Sequence, residues 1–123
     1  MVRSRKMVVL HEAHYPRQLL YTRALENIGV TVAPARAARE MKELLSNSTY
    51  LLVVVSVPDE AELRQQFLED MQGLVITAPL VVLDGEPFNF ADFGSLPVQA
   101  HFRRSAVHLS EVIARIADMV HGG

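Results

Sequence analysis

Residues 50–58 read Tyr50-Leu-Leu-Val-Val-Val-Ser56-Val-Pro58. The run is β-branched or aliphatic at almost every position, with no polar face, so it suits a strand covered on both sides, such as the central strand of a parallel sheet. Ser56 ends it with a hydroxyl, the residue type that caps a following helix. Pro58-Asp-Glu then opens that helix, its carboxylates near the positive end of the helix dipole. Leu63, Phe67, Met71 and Leu74 are the expected buried row, and Gly73 stands near the end.

Working outward, the same alternation of strand and helix repeats on both sides. Upstream, Met7-Val-Val-Leu-His11 predicts a first strand. Pro16 suits a first helical turn, Leu20, Ala24 and Ile28 recur at spacing four, and Gly29 stands where a helix end wants a left-handed residue. Val30 to Ala33 predicts a short second strand ended by Pro34, and Ala38, Met41, Leu44 and Leu45 give the stretch from Arg36 to Ser46 an amphipathic helical period. Downstream, Pro79 to Asp84 predicts a fourth strand that Gly85-Glu-Pro87 breaks. The segment between Pro87 and Pro97 has no clear period and predicts a loop or one irregular helical turn. Val98 to Phe102 alternates like an edge strand, and Leu109, Val112, Ile113, Ile116, Ala117 and Val120 mark the cleanest helix.

This order predicts an α/β domain, flavodoxin-like, with a doubly wound five-stranded parallel sheet and a short or irregular fourth helix. One domain spanning 1–123 is expected, since 123 residues suit one core and no linker or repeat interrupts them. Without cysteine, disulfides, thiolate metal sites and a cysteine nucleophile are excluded. Twelve basic against fourteen acidic residues leave no global attraction for nucleic acid or anionic lipid. The longest apolar runs are strand-sized, and the basic start, Met1 to Lys6, is not followed by a signal-peptide core. A cytoplasmic domain with no membrane partner and no direct nucleic-acid partner is expected.

Over essentially its whole length the sequence resembles the receiver (CheY-like) domain of two-component response regulators. The resemblance rests on Met7 to Glu12, on Leu19-Leu20 through Leu25 to Gly29, and on Leu52 to Pro58. It continues in Val81 to Gly85, Phe102 to Ser105 and Leu109 to Val112. Receivers of this family hold magnesium with a few carboxylates beside a phosphoacceptor aspartate, and a hydroxyl residue and a lysine complete the switch. Here Glu12, flanked by His11 and Ala13, is what remains of the acid pair. Ser56, or Val55 with another gap, stands at the phosphoacceptor position, and neither forms an acyl phosphate. Asp84 replaces the hydroxyl, Arg104 approximates the lysine, and Ser105 replaces the proline after it.

The resemblance therefore implies a pseudo-receiver: a non-catalytic signalling module in transcription regulation that acts through a protein partner or as a homodimer and has no cofactor. Glu12, Val55, Ser56, Asp84 and Arg104 would form its vestigial phosphorylation pocket. Leu45 to Ser48 and Gly85 to Pro87 are similar to the degenerate N-terminal receivers of bacterial enhancer-binding flagellar regulators, which implies a C-terminal effector domain in the native protein. The family's usual association face corresponds here to Phe88, Phe90, Phe93, Phe102, Arg103 and Arg104, with the exposed side of the last helix.

Other readings draw on the same residues. Three of five phenylalanines fall within 88–93, and they equally suit a plug for the core beneath a weak fourth helix. His11, Glu12, His14 and Asp84 could ligate a metal at the carboxyl edge of the sheet, the alternative function being a small metal- or ligand-binding domain. Ser56 with a histidine and Asp84 can be written as a hydrolytic triad, but Ser56 lacks the strained Gly-x-Ser-x-Gly elbow that exposes a nucleophile.

Overall fold

The computed structural model describes residues 7–47, 50–85 and 90–121. Five strands, β1 (Met7–His11), β2 (Thr31–Ala35), β3 (Leu52–Ser56), β4 (Leu80–Asp84) and β5 (Val98–Arg103), form one sheet in the order β2-β1-β3-β4-β5. All neighbouring strands are parallel. Four helices connect and cover them: α1 (Tyr15–Glu26), α2 (Ala38–Asn47), α3 (Ala61–Gln72) and α4 (Leu109–His121). This is the doubly wound flavodoxin-like arrangement. Its strand order reverses between β1 and β3, where such sheets open a crevice at their carboxyl ends.

The two-residue period of the strands sorts the core into two layers. Val9, Val53, Val55 and Val82 face one side and pack with Met41 of α2 and Phe67 and Met71 of α3. Val8, Leu10, Leu52, Val54, Val81 and Leu83 face the other and meet Leu25 of α1 and Val112 and Ile116 of α4. Every residue of β3 and β4 is buried, as the unbroken apolar runs require. Gly29 adopts φ of 91°, the left-handed conformation expected just past α1. Among the described residues no helix is long and apolar enough to cross a membrane.

Several expectations are corrected. β2 does not stop at Ala33 but continues through Pro34 to Ala35. It lies at the edge of the sheet, where a residue without an N–H costs no ladder bond. On α1, Leu20 is 54% exposed, and Gln18, Tyr21 and Leu25 turn toward the sheet in its place. On α3, Leu63 is 53% exposed while Phe67, Met71 and Leu74 are buried. The first turn of α3 starts beside the carboxyl ends of the strands and directs Arg64, not Leu63, inward to Asp84.

The segment before β5 makes a single 3-10 turn, Phe90–Phe93. Phe93 is 2% exposed and belongs to the α2/α3 core layer, so it is not part of an association face. Phe88 and the Phe90 ring lie outside the described residues. Phe102 is half-buried and packs against the α1/α4 layer, Arg104 is half-buried, and Arg103 is exposed. A register shift at Leu80/Val81 passes over Gln99 and sets Phe102 beside Leu83 and Arg103 beside Asp84, which brings Arg104 to the crevice.

Candidate functional site

Successive strand ends deliver the polar residues. β1 ends in His11 with Glu12 following it, β3 ends in Ser56, β4 in Asp84, and Arg104 follows β5. His11, Glu12, Ser56 and Asp84 are all buried, an unusual density of polar side chains that must be paired to be tolerated. Three arginines do most of that pairing. Arg64 of α3 grips Asp84 with both nitrogens, at 2.5 and 2.9 Å. Arg104 donates from one nitrogen to Ser56 Oγ at 2.9 Å and to the Leu83 carbonyl at 3.0 Å, and from the other to Asp59. Arg17 of α1 lies 3.3 Å from Glu12 Oε1 and 3.7 Å from Asp59 Oδ2.

Glu12 is committed to its own loop as well. Its Oε1 accepts the His14 amide at 3.0 Å, and its backbone N–H donates to the Ala35 carbonyl. Its Oε2 has no partner. Gly85 leaves room for the Asp59–Arg104 pair, because a Cβ there would come within 2.2 Å of Asp59 Oδ1. Arg17, Arg64 and Arg104 thus stand against Glu12, Asp59 and Asp84, and among the described residues the site carries no excess of negative charge with which to attract a divalent cation.

Of the expected pocket residues, Glu12, Ser56, Asp84 and Arg104 meet at this edge. Val55 does not: its side chain lies in the α2/α3 core, one residue out of phase with Ser56. The four residues of the metal alternative are drawn apart to other duties. Asp84 is held by Arg64, His14 caps α1 by accepting the Arg17 amide at 3.4 Å, and the His11 ring stacks on Phe67 with centroids 4.4 Å apart. Among the described residues no three histidine, cysteine, aspartate or glutamate side chains are grouped as a metal would require. Sequence reasoning missed Arg64 and the bridging role of Asp59. Neither lies at a strand end, and an arginine's reach from a helix leaves no periodic trace.

His11 has a consequence for stability. Burial lowers its pKa below the ordinary 6.5, with the Glu12 charge opposing, and its Nδ1 has no partner. The folded chain therefore binds fewer protons than the unfolded chain in this range, so stability is complete above about pH 6.5 and falls as pH drops below it. Burial pushes His101 the same way. His11→Phe should flatten the decline measured by urea unfolding between neutral and mildly acid pH. A variant whose curve overlays the parent's would remove His11 as its cause.

No protein-family model matches the sequence, and no curated protein matches it. Solved structures match its fold over nearly the whole chain. A CheY-like response regulator receiver domain protein from Methanospirillum hungatei is similar with a TM-score of 0.75 at 17% identity, covering 97% of this chain and 96% of its own. The chemotaxis protein CheY4 of Vibrio cholerae has a TM-score of 0.72 at 12% identity, covering 94% and 99%. HP1043, an orphan response regulator of H. pylori, has a TM-score of 0.71 at 15% identity, covering 94% and 97%. With this likeness over nearly the whole chain, and a five-stranded parallel sheet in the order β2-β1-β3-β4-β5, the fold of this chain is the receiver-domain fold.

Proposed function

We propose that the domain is a pseudo-receiver, a non-catalytic regulatory module that signals by binding a protein partner or a second copy of itself and not by phosphorylation. The observation that carries this reading is the Arg104 guanidinium, which hydrogen-bonds Ser56 and the Leu83 carbonyl and is clamped by Asp59. Ser56 ends the strand from which a receiver would present its aspartate, and a serine hydroxyl forms no acyl phosphate. Glu12, what remains of the magnesium-holding acid pair, is occupied by Arg17, and Asp84, at the switch-hydroxyl position, by Arg64. Output then comes from a shift in surface population caused by a partner's differential affinity. The exposed residues available to that partner include Arg103 on the edge strand β5 and Glu111, Arg115 and Asp118 on α4.

The test is an amide-resolved NMR titration with magnesium and beryllofluoride, the mimic of an acyl phosphate. No saturable shift is expected at Glu12, Ser56 or Asp84. Saturable shifts at those three would show a working acceptor pocket and overturn the reading.

A further inference from the structure

Next to the ion-pair network, between α1 and the segment leading into α4, lies a cavity of about 180 Å³. Its walls are Leu20, Tyr21, Leu83, Val107, Leu109 and Val112, and its two cations are Arg17 and Arg104. Asp59, which is not itself part of the lining, bridges those cations, its Oδ2 on Arg17 and its Oδ1 on Arg104. The two acids at Arg17 differ in kind. Glu12 is buried and also tied to the His14 amide, whereas Asp59 is 57% exposed on the loop before α3 and is itself readily rehydrated; the Arg104 it would leave is only 10% exposed and calls for another anion.

We propose that this cavity binds a small monocarboxylate with an apolar body, whose carboxylate takes the place of Asp59 between Arg17 and Arg104. The charge count selects a monoanion. With Asp59 turned to solvent, two guanidiniums face the single charge of Glu12, and Asp84 is already committed to Arg64. Inorganic phosphate, in its dianionic form, would bring more charge than the site neutralises, and in either form would leave the apolar walls uncovered. The volume corresponds to roughly six water molecules of liquid, which suits a body of about four to six carbons. Tyr21 is part of the wall, and burial, then the Glu12 charge, push its phenol upward.

This goes beyond the pseudo-receiver reading and fails separately from it. Failure to bind carboxylate leaves that reading intact, and beryllofluoride binding would overturn that reading without deciding this one. The experiment is an NMR titration of the full chain with butyrate, butyramide and inorganic phosphate at matched ionic strength. Butyrate should give saturable shifts at the amides of Arg17, Tyr21, Asp59, Arg104 and Val107, with none from butyramide. Asp59→Asn removes the internal competitor and should tighten butyrate by at least about fivefold, and Arg17→Gln should weaken it by about tenfold. Asp59 is exposed, so Asp59→Asn reads the mechanism even where Arg17→Gln disturbs the fold. No saturable shift with butyrate, equal shifts with butyramide, phosphate binding as tight as butyrate, or an affinity unchanged in Asp59→Asn would each overturn the proposal.

Discussion

Arg64→Ala is expected to lower the unfolding free energy by about 3 kcal/mol, the scale seen when one partner of a buried ion pair is removed. Asp84 is 0% exposed at its side chain, and the two nitrogens of Arg64 hold both of its oxygens. Truncating the arginine strips a buried carboxylate of that compensation while it stays cut off from bulk water. Arg64→Lys keeps the charge but not the planar two-point contact, and should fall between the parent and the alanine variant. In a double-mutant cycle, Asp84→Asn combined with Arg64→Ala should cost less than the sum of the two single changes, because the stranded charge is gone. Urea unfolding at neutral pH measures all five proteins. A loss below about 1 kcal/mol for Arg64→Ala would mean that the pair behaves like an exposed one and does not hold α3 to β4.

Phe93→Ala should cost about 3 to 4 kcal/mol, the usual range for emptying a buried phenylalanine site. The ring closes the α2/α3 layer beside Phe67, Leu80 and Val82, at a place where one 3-10 turn covers the sheet. Little regular structure there can collapse into the space. Had Phe93 been an association residue, the same change would alter stability by no more than about 0.5 kcal/mol and would weaken binding instead. Stability and self-association measured on one preparation separate the two roles, and a stable variant with lost association would return Phe93 to the surface.

Much of this was legible in the chain, for local reasons. The unbroken runs at 7–11, 52–56 and 80–84 are short and rich in valine, which suits strands buried on both faces, and the helical periods between them leave parallel crossovers as the economical connection. Where the reading failed, a neighbour overrode a pattern. Pro34 ends a strand in isolation but is accommodated at an edge, and edge status depends on which strands pair. Leu20 and Leu63 have the right spacing but lie on helix positions with no sheet beneath them. Phe93 sits in a segment without period, where nothing local distinguishes a ring that plugs the core from one that meets a partner.

For the site, the chain alone determined that no aspartate stands at the end of the third strand, that Ser56 and Asp84 close the third and fourth strands with Arg104 after the fifth, and that strand ends gather them. Only the tertiary structure decided what they do together. Arg104 and Ser56 are 48 positions apart, Arg104 and Asp59 45, and Arg64 and Asp84 20. No periodicity reports such distances, because a side-chain pattern records which face of its own element a residue occupies. Whether a guanidinium meets a hydroxyl or a carboxylate depends on strand order, on the register shift past Gln99, and on the reach of the arginine side chain.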